Sequence, residues 1–311
     1  MRNCAGRAMI VAIAAMTLGS TASASDWDDC MDATPVQAIA ACNREIESNK
    51  HHDRDLSVLY YNRAISLRAQ NRVAEALADY DDAIRADPTH EKPYNNRAKL
   101  LREQGHFDRA LADLSEAIAR KGDFVLALVN RAHLYDEKGE FALALADLDQ
   151  AIRADASNAR AYVLRGMVLR KMGEPERALA DFTSAISLDA ENVYAFFHRA
   201  ELLGERKDYD KAIADYSAVL RLSPKSDQIY RLRSTALLQK GDRAAALRDA
   251  EQAIAIDDKA AENFIARGAV LKALIRTYPA ILDYRMAIQL KPAPSLRKQA
   301  VDALLSLGVQ P

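Results

Sequence analysis

Apolar residues recur through most of the chain at the spacing of an amphipathic helix, in two blocks separated by a short breaker. The pair of blocks returns at a constant period of about 34 residues, without insertion or deletion. The first block contains YYNRAISL at 60–67 and YNNRAKLL at 94–101, and the second contains LADYDDAI at 77–84. Seven copies fill residues 57–294, as 57–90, 91–124, 125–158, 159–192, 193–226, 227–260 and 261–294. The pattern predicts an all-α chain of seven stacked helix-turn-helix units in one linear array, rather than two domains around two cores.

The breaker between the two blocks favours residues that tolerate a left-handed backbone. They are Asn71, Gly105, Gly139, Gly173 and Gly241. Such a residue is expected where one helix must turn into the next. Lys207 and Ile275 occupy the same position in the fifth and seventh copies, so the turn is less clearly predicted there.

The repeats resemble the tetratricopeptide repeat family, whose signature combines an aromatic and a small residue in helix A with Ala in helix B. The aromatic position holds Tyr60, Tyr94, Tyr162, Phe196, Tyr230 and Phe264, with Leu128 as the exception. The small position holds Ala64, Ala98, Ala132, Gly166, Ala200, Ser234 and Gly268. The resemblance implies an α-solenoid, a right-handed superhelix in which helix A of each repeat lines a concave groove.

The chain departs from the family pattern at one position, where Arg replaces the usual Leu. An Arg precedes the small residue in every copy, as Arg63, Arg97, Arg131, Arg165, Arg199, Arg233 and Arg267. Helix B carries an Asp in step with it, as Asp79, Asp113, Asp147, Asp181, Asp215, Asp249 and Asp283. The constant register predicts structural ion pairs between helices. A charged binding stripe is the alternative.

The composition excludes several classes of protein. Of 311 residues, 50% are hydrophobic and 28% are charged, and the formal net charge is −1. A nucleic-acid-binding chain would show a strong basic excess, and a disordered chain would be poor in apolar residues. Neither class fits.

Residues 1–24 have the three-part layout of a secretory signal peptide. Arg2 and Arg7 precede an apolar run at residues 8–18, and Ala22, Ser23 and Ala24 form the expected cleavage site. We therefore expect cleavage after Ala24, a periplasmic or secreted mature protein, and no membrane insertion after signal cleavage. An uncleaved N-terminal anchor is the alternative.

Cysteine usage agrees with export. Cys4 would leave with the signal peptide, so Cys30 and Cys42 are the thiols of the mature chain. In an oxidising compartment they are expected to pair, and free or redox-active thiols are the alternative. We assign residues 25–56 to an N-terminal capping segment, in which residues 35–47 resemble a half-repeat, and residues 295–311 to a C-terminal capping helix.

Candidate chemistry is sparse. Residues 51–55, which begin with His51 and His52 and end with Asp55, form the one local cluster that resembles a metal site. Neighbouring residues on a polar linker seldom face one ion together, so we expect a solvated linker and no metal or other cofactor. No nucleophile-elbow, phosphate-loop or zinc-protease motif occurs, so we predict no enzyme; a metal-binding or enzymatic role through residues 51–55 is the low-ranking alternative.

The predicted groove is the best candidate site. By the family resemblance, Asn62, Asn96 and Asn130 face it, and such amides can bind an extended peptide backbone. Further candidates on the same face are charged or aromatic: Lys92, His133, Arg160, Tyr194, Phe197 and His198. Structural roles for the amides, and packing between neighbouring helices for the aromatics, are the alternatives. Of the clamp by which family members grip chaperone C-termini, Asn96 alone is present.

These observations predict a non-catalytic protein–protein interaction scaffold of the bacterial envelope, which binds a peptide or protein partner in the groove. An assembly factor for envelope or polysaccharide-secretion machinery is the alternative, by analogy with related adaptors.

Overall fold

The computed structural model describes residues 25–311; the predicted signal peptide, residues 1–24, lies outside them. All regular structure in the described residues is α-helical, with seventeen helices and no strand. The helices are α1 (Asp26–Asp32), α2 (Pro35–Glu47), α3 (Asp53–Ala69), α4 (Val73–Ala86), α5 (Glu91–Glu103), α6 (Phe107–Arg120), α7 (Val125–Glu137), α8 (Phe141–Ala154), α9 (Ala159–Lys171), α10 (Pro175–Leu188), α11 (Val193–Glu205), α12 (Tyr209–Leu222), α13 (Asp227–Lys240), α14 (Arg243–Ile256), α15 (Ala261–Ala273), α16 (Thr277–Gln289) and α17 (Pro294–Leu305). None of the described helices is both long and apolar enough to cross a bilayer.

The chain divides into two compact units, with the boundary inside α5: one ends at Leu100 and the other is Leu101–Pro311. In the first unit, α3 packs against α4. In the second unit, five consecutive pairs pack in the same way, from α7 with α8 to α15 with α16. Each pair is a helix-turn-helix unit, which confirms the predicted fold class.

The turn inside each repeat is left-handed in all seven copies. Its central residue has a φ between 59° and 99° at Asn71, Gly105, Gly139, Gly173, Lys207, Ile275 and Gly241. The next residue donates its N–H to the carbonyl five positions back at 2.8–2.9 Å, as in the bond from His106 to Leu101. This bond satisfies a carbonyl at the end of the first helix. Lys207 and Ile275 therefore keep the same turn, although they lack the freedom of glycine.

The core of a repeat depends on a small residue in its first helix facing a ring in its second. A Cβ atom added at Gly166 would lie 2.7 Å from the Phe182 ring, and one added at Gly268 would lie 2.8 Å from the Tyr284 ring. A side chain at either glycine would displace the ring from a closely packed interior. This contact explains the small-residue position of the repeat.

The N-terminal cap is held by the predicted disulfide. Cys30 on α1 and Cys42 on α2 are joined, with their Cα atoms 4.8 Å apart, which confirms the pairing. Helix α2 has the predicted bounds of the half-repeat, whereas α1 was not predicted. Helix α3 begins at Asp53, inside the segment expected to be a polar linker, because Asp53 and Asp55 suit the positive end of a helix.

The C-terminal cap closes the second unit with α17. Ala300 and Leu304 are fully buried against the last repeat. The helix begins at Pro294, where a missing N–H costs nothing, and Gly308 follows it with a φ of 75°. The end of the array is therefore covered by a single amphipathic helix.

Candidate partner-binding site

The repeated Arg and Asp residues join the two helices of a repeat. Arg165 Nε donates to Asp181 Oδ2 at 2.8 Å, and Arg165 Nη2 donates to Asp181 Oδ1 at 2.7 Å. The same two hydrogen bonds, at 2.7–2.8 Å, link Arg63 to Asp79, Arg131 to Asp147, Arg199 to Asp215, Arg233 to Asp249 and Arg267 to Asp283. These six aspartates are only 5–7% exposed. Such buried, bidentate pairs support the structural interpretation rather than the binding stripe.

The second repeat is divided between the two units. Arg97 lies in the first unit, where it hydrogen-bonds Asp81, and Asp113 lies in the second unit, where it is buried.

The third arm of the guanidinium reaches the preceding repeat. Arg165 Nη1 donates to Asp149, on the second helix of the repeat before it, at 2.7 Å. Corresponding bonds run from Arg63 to Asn43, Arg131 to Ser115, Arg199 to Thr183 and Arg233 to Ser217. Each of these arginines therefore connects the second helices of two successive units, which we call the outer helices.

The aromatic position of the signature covers the same guanidinium. The Tyr60 ring lies 5.3 Å from the Arg63 guanidinium carbon, and rings lie at 5.5–5.9 Å in the other repeats that have an aromatic residue there. In the third repeat, where Leu128 replaces the aromatic, the Tyr135 ring covers Arg131 at 5.8 Å. A ring over a desolvated guanidinium is stabilising, so the aromatic position belongs to the core rather than to a binding site.

The predicted groove residues of the first unit are largely engaged within the chain. The Asn62 amide donates to the Val58 carbonyl at 2.9 Å and contacts Met31 of the N-terminal cap at 3.0 Å. The Asn96 amide donates to the Tyr61 hydroxyl at 3.2 Å. These contacts favour structural roles for both amides. Lys92 is exposed.

The second unit brings four of the predicted residues together around one pocket, which we call the Tyr194 pocket. Its volume is about 520 Å³, and helices α7, α9 and α11 supply seven of its eight lining residues. The lining residues are His133, Arg160, Val163, Leu164, Met167, Asn192, Tyr194 and His198. The Tyr194 side chain is 72% exposed, and so offers an aromatic surface that the fold does not use.

A second pocket of about 370 Å³ shares one wall with the first. Tyr194 and His198 line both, and Phe197 lines the second. Phe197 also packs against the buried cluster around Tyr216, so it serves the core and the pocket at once. His198 is fixed by edge contact with Phe197 at 5.1 Å and by stacking on Phe182 at 5.9 Å.

One end of the Tyr194 pocket is positively charged. Arg160 Nη2 donates to the Asn130 side-chain oxygen at 3.2 Å, and Arg102 Nη1 hydrogen-bonds His133 Nδ1. Burial and the adjacent Arg102 charge lower the pKa of His133, and burial and the same charge lower the pKa of Arg160. Within the described part of the chain, neither guanidinium is ion-paired with a carboxylate. The pocket therefore combines apolar walls with the Arg160 guanidinium. Arg102 contacts the pocket through His133, whose Nδ1 also lies 3.6 Å from Glu137 Oε1.

Arg102 lies in the last turn of α5, at a position that the family resemblance also places in the groove, and it meets His133 one repeat later. One residue of this site was not singled out from the sequence. Asn192 caps α11 by accepting a hydrogen bond from the Ala195 N–H at 3.0 Å. Its place before a helix was the available signal, and that signal predicts a cap rather than a pocket wall.

The segment proposed as a weak metal candidate is tied to the N-terminal cap. His51 Nε2 hydrogen-bonds Glu45 at 2.6 Å, and its ring lies 5.1 Å from that of Trp27. Among residues 25–311, no group of three or more potential metal ligands comes together.

The fold and the repeat geometry agree with comparisons to known proteins. Models of the tetratricopeptide repeat match residues 57–90, 95–159, 129–171 and 163–227, which together make up just over half of the chain. The chain belongs to the tetratricopeptide repeat family. No curated protein sequence matches it.

Solved structures of the family share the fold. A tetratricopeptide repeat protein from Parabacteroides merdae ATCC 43184 is 22% identical with a TM-score of 0.58, over 79% of this chain and 98% of that one. Pseudomonas aeruginosa PilF is 17% identical with a TM-score of 0.60, over 67% and 94%. YrrB, described as a TPR protein with an unusual peptide-binding site, is 24% identical with a TM-score of 0.51, over 60% and 97%.

Proposed function

We propose that this chain is a non-catalytic adaptor of the bacterial envelope that binds a peptide segment of a partner protein along the first helices of its repeats. The observation that carries the proposal is the Tyr194 pocket, where a highly exposed aromatic side chain and the Arg160 guanidinium flank apolar walls, and Arg102 contacts the lining residue His133. Aromatic and Arg side chains dominate the energetics of protein interfaces.

The chemistry of the pocket indicates which segment it binds. Arg160, with the Arg102 charge close to it, is suited to a carboxylate, and Met167, Val163 and Leu164 are suited to an apolar side chain. We therefore expect a segment with an acidic residue beside a bulky apolar one. Helices α7, α9 and α11 are fixed by the core, so the pocket needs little ordering on binding.

The cellular location is inferred from the sequence of residues 1–24, and the Cys30–Cys42 disulfide fits an oxidising compartment. Mass spectrometry of the protein recovered from a periplasmic fraction tests this: we expect a mature chain that begins at Ser25. An intact N-terminus or a reduced cysteine pair in that fraction would contradict it.

Peptide selection tests the binding site. A phage-displayed random peptide library is selected on the mature chain, and the affinity of the enriched peptides is measured by fluorescence anisotropy. We expect the enriched peptides to combine acidic and apolar residues. We expect Tyr194→Ala or Arg160→Glu to weaken the affinity for these peptides by about thirtyfold, as for an interface residue that contributes about 2 kcal/mol.

The matched control is Arg153→Glu, because Arg153 is an exposed residue of the outer helix α8. It should bind the peptides as the native chain does. If the selected peptides bind equally well to the Tyr194 and Arg160 variants, the Tyr194 pocket is not the binding site.

A further inference from the structure

The outer face of the last repeat exposes a row of large apolar side chains, which we call the apolar stripe. Ile275 is 87% exposed, Tyr278 71%, Leu282 47% and Met286 41%. Tyr278, Leu282 and Met286 recur at every fourth position of α16 and so share one face, and Ile275 lies in the turn before that helix.

The other repeats serve as an internal control for this feature. In the sixth repeat, the four corresponding positions hold Gly241, Ala244, Arg248 and Gln252. Across all six other repeats these positions hold only Gly, Ala, Ser, Asn, Gln or a charged residue. The repeat fold therefore does not require large apolar side chains here, and the stripe needs another explanation.

The conformation of Ile275 is independent evidence for a role at the surface. It has a φ of 60°, in the left-handed region that a β-branched side chain rarely adopts. Four other repeats place Gly at this point and one places Asn. The chain thus keeps an isoleucine that is strained and almost wholly exposed, in a position where glycine would suit the backbone better.

The chain segment that carries the stripe is rich in exposed positive charge. From residue 272 to residue 298, every Lys and Arg is exposed: Lys272, Arg276, Arg285, Lys291, Arg297 and Lys298. The one acid in this segment, Asp283, is buried and paired with Arg267. On helix α14, which precedes the last repeat, the exposed acid Glu251 is accompanied by the exposed Arg248. In a chain with a formal net charge of −1, this is a marked local excess.

We propose that the apolar stripe and the exposed cations of its segment dock this end of the protein on a membrane surface rich in anionic phospholipids. Apolar and Tyr side chains would enter the boundary between headgroups and acyl chains, while Lys and Arg bind lipid phosphates. The helices stay folded, and no segment spans the bilayer.

The gradient of exposure favours a membrane over a partner helix. Exposure rises steadily from Met286 to Ile275, so the most accessible apolar group lies at the turn, next to the exposed Arg276. A turn that exposes one apolar residue beside a cation suits insertion into a headgroup layer. A partner helix that packs along α16 would instead require a stripe that is evenly exposed along its length.

Vesicle flotation tests the proposal with the mature chain, residues 25–311. The probes are vesicles of phosphatidylethanolamine with phosphatidylglycerol, and vesicles of phosphatidylcholine alone. We expect binding to the anionic vesicles that weakens as salt is added, and little binding to the neutral ones. An Arg276→Ala/Arg285→Ala variant should lower the partition coefficient by about thirtyfold, and Ile275→Gly/Tyr278→Ser should lower it comparably.

Control variants make comparable changes on the second helices of other repeats. Arg153→Ala/Arg243→Ala removes two exposed cations, and Leu143→Ser removes an exposed apolar side chain; both should bind as the native chain does. The proposal is overturned if the native chain does not float with anionic vesicles at low salt, or if all variants float equally. It is also overturned if the stripe variants abolish self-association instead, which would assign the stripe to a second copy of the chain.

Discussion

Removing the carboxylate of Asp147 should destabilise the third repeat by about 3 kcal/mol. In the native chain Arg131 donates two hydrogen bonds to Asp147, at 2.8 and 2.7 Å, and Asp147 is 5% exposed. Asp147→Ala leaves Arg131 with Ser115 at 3.1 Å and the Tyr135 ring as its neighbours. Breaking one side of a buried pair costs about 3–5 kcal/mol. Because the Arg131 side chain keeps 19% exposure, we expect the lower end of that range.

Asp108→Ala is the matched control for this change. Asp108 also pairs with a cation, Lys138 at 3.1 Å, but its side chain is 92% exposed. An exposed pair contributes about 0–1 kcal/mol. The two substitutions are chemically identical, so the difference between them measures the effect of burial.

The assay must resolve single repeats, since repeat arrays do not unfold as one two-state unit. Native-state hydrogen exchange of the amides in α7 and α8 measures local opening, and urea denaturation followed by circular dichroism measures the whole chain. An Arg131→Met/Asp147→Leu variant should recover most of the stability, because an apolar replacement leaves no buried charge unpaired. Equal, small effects of Asp147→Ala and Asp108→Ala would refute the role assigned to the pairs.

Three further substitutions test other parts of the fold. Burial lowers the pKa of His90 from 6.5 to about 4, so the folded chain keeps the imidazole neutral. Because the unfolded chain binds this proton more readily, the free energy of unfolding is unaffected above pH 6.5 and falls by up to about 3 kcal/mol as the pH drops towards 4. His90→Gln should remove this part of the acid sensitivity in urea denaturation curves recorded across that pH range. Gly166→Ala should destabilise by about 1–3 kcal/mol in urea denaturation because its Cβ would collide with the Phe182 ring, and unchanged stability would contradict the contact. Ile275→Gly should raise the melting temperature by relieving about 1 kcal/mol of backbone strain, whereas a lower value would show that the exposed side chain stabilises the turn.

The repeat architecture follows from the sequence because it depends on local, periodic signals. Arg165 and Asp181 keep the same separation along the chain as every other pair, so their contact can be read from spacing alone. The turn at Ile275 is left-handed although a β-branched residue disfavours that conformation, so the position of the residue in the repeat decides the backbone conformation. Here the packing of two helices fixes the backbone between them.

The binding surface was less predictable, because it depends on contacts that the periodicity does not encode. Asn62 has the same position in its repeat as Asn130, but its amide meets Met31, which belongs to the unpredicted helix α1. Arg102 and Arg160 belong to the second and fourth repeats, and they come close because both contact helix α7 of the repeat between them, at His133 and Asn130. A sequence pattern places residues on a face; it does not determine which of them a neighbouring element has already engaged.

The three-armed contacts of the arginines have a mechanical consequence for the array. Two arms of Arg165 hold Asp181 inside its own repeat, and one arm reaches Asp149 across the repeat junction. Under a stretching force the junction is thus the weaker link, and each repeat, once separated from its neighbour, should unfold as a unit. Each release would lengthen the chain by roughly 110 Å, the extended length of the repeat less the thickness of one helix layer. Such an array should unfold in steps of equal length, and the repeats that have not yet unfolded should stay intact.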